Sequence, residues 1–126
     1  MKKLLSILIL FVCLRSTSQT VSNVNAADFK KQIDLKKGIL IDLRTTDEIK
    51  SKGMIPGAKQ IDFLASDAEA QIQSLDKGKT YLIYCAGGGR STDCAELMKK
   101  WGFKEVVNLE KGFSDWARNG LPIEKK

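Results

Sequence analysis

The apolar run Thr80-Tyr81-Leu82-Ile83-Tyr84 leads into Cys85, Ala86, a glycine triplet (Gly87, Gly88, Gly89), Arg90 and Ser91. A helical pattern opens there, with Cys94, Leu97, Met98 and Trp101 at offsets of three, four and seven on one face. A strand that passes through bare backbone into a helix is the unit of a parallel sheet with helical crossovers. In such sheets ligands sit beyond the carboxyl ends of the strands, where Cys85 falls. The same segment sets a thiol among backbone N–H groups, at the positive end of a helix dipole and beside an arginine. Each of these favours the thiolate. Cys85 is therefore the candidate nucleophile. Ala86, Gly87, Gly88, Gly89, Arg90 and Ser91 form the candidate binding loop.

The rest of the chain repeats the strand–helix alternation. Val21 to Asn25 reads as a short strand. Asn25 or Asp28 caps a helix to about Lys36, with Phe29, Ile33 and Leu35 inward and Gly38 as its stop. Ile39 to Leu43 is a continuous apolar strand with Asp42 near its end, the pattern of a strand buried on both faces. Thr45 or Thr46 caps a short helix ended by Gly53, and Ile55-Pro56-Gly57-Ala58 is a turn. Gln60 to Phe63 is a brief extended segment. Ser66 and Asp67 cap a helix to Leu75, with Ala68, Ile72 and Leu75 on one side. Glu105 to Leu109 is the last strand, and Gly112 to Asn119 a last helix with Phe113 and Trp116 inward. An α/β domain with a mainly parallel sheet follows.

The 126 residues suit one domain, and the apolar fraction of 43% is enough for a core without disulfide staples. There is no histidine, which removes the usual general base, the usual metal ligand and any Cys–His dyad. No cofactor and no metal are expected. The formal charge of +6 falls to +3 once Lys2, Lys3 and Arg15 are set aside, and no dense basic run points to nucleic acid. Those three residues lie in a basic start followed by an apolar run, Leu4 to Leu14, and the small residues Ser16-Thr17-Ser18. The three parts read as a signal peptide over 1–18 with cleavage before Gln19, leaving one domain over 19–126. The protein is expected to be exported, to a periplasmic or other extracytoplasmic compartment. An uncleaved membrane anchor is the other reading.

Four segments carry a family resemblance. They are Ile41-Asp42-Leu43-Arg44 with Glu48; Gly53-Met54-Ile55-Pro56-Gly57-Ala58; the loop Cys85 to Ser91; and Gly112-Phe113 with Trp116 and Gly120-Leu121-Pro122. In this order and spacing the chain, from about Asn25 to Glu124, resembles a single-domain rhodanese-like sulfurtransferase. Met54 stands where that family often has histidine. The glycine triplet replaces side chains that often line the loop. The resemblance implies a rhodanese-like three-layer domain, with a sheet of about five parallel strands between helices. It also implies a sulfurtransferase that moves a sulfane sulfur through a Cys85 persulfide. The partners would be a small thiosulfate-like anionic donor and an acceptor such as cyanide or a protein thiol.

Related phosphatases of the fold have one residue more between cysteine and arginine than the four found here, so loop length favours sulfur over phosphate. Sulfur transfer also needs no histidine once the thiol is acidified. Two other readings stay open, a thiol redox protein pairing Cys85 with Cys94 and a non-catalytic binding module. Cys94 itself reads as core packing. Asp42, Arg44 and Glu48 read as a structural ion set near the sheet end. Arg90 supplies charge and orients an anionic donor. On the plainest reading Ser91 is only a helix N-cap, and Trp101, Phe113 and Trp116 are core.

Overall fold

A computed structural model describes residues 19–125. The signal-peptide reading of 1–18 lies outside the described residues. Five parallel strands are ordered β1-β5-β4-β2-β3: β1 Thr20–Val24, β2 Ile39–Asp42, β3 Lys59–Gln60, β4 Thr80–Tyr84 and β5 Glu105–Leu109. The helices are α1 Ala26–Asp34, α2 Thr46–Lys52, α3 Ala68–Gln73, α4 Gly89–Lys100 and α5 Gly112–Arg118.

Strand periodicity divides the core into two layers. Ile41, Tyr81, Ile83 and Val106 face one side and pack with Ile72 of α3 and Cys94, Ala95 and Met98 of α4. Leu40, Leu82, Tyr84 and Val107 face the other side and pack with Phe29 of α1 and Phe113 and Trp116 of α5. This explains the continuous apolar runs, since strands covered on both faces have no solvent side to alternate with. Cys85 follows Ile83 by two residues and falls in the α4 layer with Cys94. Trp101 is only partly buried against that layer.

Topology sets the position of the site. After β2 the chain moves outward to β3, and after β4 it moves the opposite way to β5. The carboxyl ends of the neighbours β2 and β4 therefore border a crevice, the place where such sheets bind ligands.

Several local expectations change. The first helix ends at Asp34, because Lys36 takes the left-handed φ of 52° before Gly38 is reached. Leu35 is consequently 66% exposed rather than inward. Gly38 is there for a close approach: a Cβ on it would lie 2.8 Å from the Thr80 carbonyl oxygen of β4. Asp67 occupies the cap position of α3 but makes no side-chain cap bond. The segment expected from Gln60 to Phe63 is paired one residue earlier, at Lys59–Gln60. Met54 is buried, and its N–H and C=O both pair with Glu124, so the residue in the unusual position tethers the end of the chain.

Candidate active site

The site is built on β4, whose last residue hands the chain to a loop folded back on its own sulfur. Cys85 Sγ accepts hydrogen bonds from the Gly88 N–H at 3.1 Å and the Ser91 N–H at 3.4 Å. The Ser91 hydroxyl oxygen lies 3.5 Å from Sγ and donates to the Gly88 carbonyl at 3.2 Å. In the thiol form the S–H donates to that oxygen. On ionisation the hydroxyl proton can turn to the sulfur instead. Burial alone would push the Cys85 thiol up. The Ser91 hydroxyl, the Ser91 N–H and the Gly88 and Gly87 N–H groups outweigh it, and the pKa lies below the ordinary value.

The glycines divide the labour. Gly88 takes φ 106° as the N-cap of α4, and a Cβ on it would run into the Glu110 carbonyl oxygen. Gly87 and Gly89 have nothing within 4 Å of where a Cβ would stand, so the loop's outer rim is open. The helix starts at Gly89 with Gly88 as its N-cap, three residues earlier than Ser91 as N-cap implies. Ser91 therefore sits inside the first turn. Its N–H, an orphan donor of the helix start, is spent on sulfur. Cys85 itself is 1% exposed, and a cleft of about 300 Å³ beside it is lined by Ala86, Phe113, Ser114, Ser51 and Lys52 among others.

The start of α5 holds the loop from the opposite side. The Phe113 N–H donates to the Cys85 carbonyl at 2.8 Å, and the Ser114 N–H and hydroxyl donate to the Ala86 carbonyl at 3.0 and 3.1 Å. Gly112 permits the approach, since a Cβ there would lie 2.5 Å from the Ala86 oxygen. Reading Phe113 as a core residue is right but incomplete, because its backbone is also a buttress of the loop. The signal available was Gly112 directly before it.

The three charged residues expected to form one structural set divide between two ion pairs. Asp42 and Arg44 form a buried pair at 2.8 Å, with both side chains almost wholly enclosed. Arg44 also donates to the Gly53 carbonyl at 2.7 Å, and its guanidinium lies over the Phe113 ring at 4.0 Å. The Tyr84 hydroxyl donates to Asp42 at 2.6 Å and accepts from the Ile55 N–H at 3.0 Å; burial pushes its pKa up. Glu48 belongs elsewhere. Its two carboxylate oxygens take the two terminal nitrogens of Arg90 at 2.7 and 2.9 Å. Arg90 is thus paired, not free to meet a donor. Its guanidinium hydrogen bonds hold the Glu48 carboxyl at about 2. Cys94, by contrast, is fully buried and makes no bond to loop donors; burial first, and the nearby Cys85 charge second, push it up to about 12.

An acidified thiol ringed by main-chain donors at a strand end, with an arginine at the helix start, defines a cysteine-loop α/β protein. The rhodanese-like domain model matches residues 25–119, and the chain belongs to that family. It is 35% identical over 105 residues to a sulfurtransferase of Allochromatium vinosum, covering 82% of this chain and 94% of that one. It is 28% identical to a thiosulfate sulfurtransferase of Vibrio cholerae, covering 81% and 92%. A rhodanese-related protein from Thermoplasma volcanium has a similar structure, with a TM-score of 0.72 and 28% identity, covering 83% of this chain and 99% of that one.

Proposed function

We propose that the chain is a sulfurtransferase working through a Cys85 persulfide. The observation that carries this reading is the convergence of the Gly88 and Ser91 N–H groups on Sγ. The Cys85 thiolate attacks the outer sulfur of a donor such as thiosulfate. A new S–S bond forms, the donor's S–S bond breaks, and sulfite leaves with the electron pair. The terminal sulfur of the persulfide is now the anion the donor ring must hold. An acceptor nucleophile, cyanide or a thiolate, then attacks that outer sulfur. The second S–S bond breaks and its electron pair returns to Cys85. No proton need move in either step, which fits a site without histidine.

Two features support sulfur over the alternatives. Four residues separate Cys85 from Arg90, the spacing that the family resemblance associates with a ring sized for one added sulfur. Cys94 is a poor resolving thiol, being buried and hard to ionise. The open rim at Gly87 and Gly89 supports a bulky acceptor such as a protein thiol. Export after removal of 1–18 is part of the proposal, and sequencing of the mature amino terminus, with Gln19 expected first, tests it. The function is tested by incubating the protein with thiosulfate and taking an intact mass, then adding cyanide. The expected result is a gain of one sulfur atom, lost again as thiocyanate. Uptake that persists in Cys85→Ser would overturn the assignment.

A further inference from the structure

The arginine at the loop mouth is already spoken for. Both terminal nitrogens of Arg90 go to Glu48, which is the two-pronged geometry an incoming oxyanion would need. Nor is Glu48 a loose surface carboxylate. It is the third residue of α2's capping box: its Oε1 accepts from the Thr45 N–H and hydroxyl at 3.1 Å each, while the Glu48 N–H donates to the Thr45 hydroxyl oxygen. Helix α2 thus presents a fixed carboxylate to the cysteine loop across 42 positions of sequence.

The charges facing the sulfur can be summed. Arg90 and Glu48 cancel. Asp47 and Lys52 line the adjoining cleft with opposite signs, and Arg44 is cancelled by Asp42. Asp62 adds a further negative charge that acts on the Arg90 guanidinium. With both terminal nitrogens of Arg90 held by Glu48, a donor approaching this mouth gains little from the arginine's charge, and a dianion forfeits twice as much as a monoanion.

We propose that Glu48 is a specificity-determining residue: by occupying Arg90 it disfavours dianionic sulfane donors such as thiosulfate relative to donors of lower charge, namely organic persulfides and thiosulfonates. The proposal rests on the sulfurtransferase reading for its substrates, but not for its electrostatics. A monoanionic organic thiosulfonate would load the enzyme as thiosulfate does. The thiolate takes the outer sulfur, the S–S bond breaks, and a sulfinate departs with the electron pair.

The test compares reagents that differ by one charge at the same sulfur. Cys85 in the full chain is alkylated with iodoacetate and with iodoacetamide, and modification is read at the Cys85 peptide by mass spectrometry. The ratio of the two rates cancels any change in thiolate fraction. Glu48→Gln keeps the capping box, because glutamine serves at that position. It should raise the iodoacetate-to-iodoacetamide ratio roughly three- to tenfold, with the gain shrinking at high salt. The ratio of loading rates from thiosulfate and from methanethiosulfonate should rise in parallel. Arg90→Gln exposes the Glu48 charge and should lower both ratios, and the double variant should return toward wild type. Unchanged ratios in the single variants, or equal slowing of both reagents, would overturn the proposal. If Glu48→Gln fails to fold, Arg90→Gln alone decides. Failure of wild type to load sulfur from either donor would instead overturn the sulfurtransferase reading, while alkylation would still read the charge filter.

Discussion

Cys85 and Cys94 lie in the same core layer, both free and both buried, yet they are opposite in chemistry. Each suffers the desolvation that burial imposes on a thiolate. Cys94 has nothing to set against it and is pushed up to about 12. Cys85 has two N–H groups within hydrogen-bonding distance and a hydroxyl that can turn to it, and its pKa falls instead. Burial does not decide whether a thiol is inert. The decision rests on the Ser91 hydroxyl and on where the neighbouring backbone points its donors, and both are set by one left-handed glycine and the first turn of a helix.

The comparison breaks most visibly if the nucleophile is removed. Cys85→Ser should cut sulfur loading by at least about a thousandfold, since hydroxyl oxygen is not ionised at neutral pH. Cys94→Ala should change loading less than about twofold while lowering stability by about 1 kcal/mol, read from denaturant midpoints. Equal losses of loading in the two variants would erase the distinction.

Next comes the backbone. Gly88→Ala forces a side chain into a left-handed residue against the Glu110 carbonyl. It should cost about 2–3 kcal/mol of stability and raise the Cys85 pKa as the donor ring opens. Gly87→Ala and Gly89→Ala, in open space, should stay within about 0.5 kcal/mol of wild type. A smaller change is Ser91→Ala, which keeps the N–H and removes the hydroxyl. It should raise the Cys85 pKa, since the hydroxyl is the first of the groups that lower it, measured from the pH dependence of alkylation.

The two thiols also differ in how they tie stability to pH. The native Cys85 thiol is more acidic than the unfolded one, so its contribution is complete above the unfolded pKa and is lost as pH falls through the lower native value. Cys94 acts in reverse. Its contribution is complete below the ordinary thiol pKa and is lost as pH rises toward about 12. Wild type and Cys94→Ala should therefore converge in stability across that alkaline window, and parallel curves would count against it.

Much of this was legible in the residues. The apolar runs at Ile39 and Thr80, each closed by polar or glycine-rich chain, gave the strands because doubly covered strands have no reason to alternate. The Cys85 loop could be read because strand end, glycines and helix start are contiguous. Features set by distant chain could not be read. Glu48 meets Arg90 only because α2 and α4 flank one crevice, so its nearer neighbours Asp42 and Arg44 seemed its natural partners. The role of Gly88 depends on the Glu110 backbone arriving beneath it, and that of Gly112 on the Ala86 carbonyl. Ser91 looked like a cap because serine favours that place, but the left-handed Gly88 starts the helix sooner.

Everything here depends on the Ser91 hydroxyl and the loop's main-chain N–H groups, not any base, lowering the Cys85 pKa. The most direct test is the alkylation rate of both cysteines by iodoacetamide as a function of pH, resolved by peptide mass. The expected result is a Cys85 midpoint below the ordinary thiol value and a Cys94 that stays inert until about 12. A Cys85 midpoint at or above the ordinary value, or one shared by the two thiols, would contradict it.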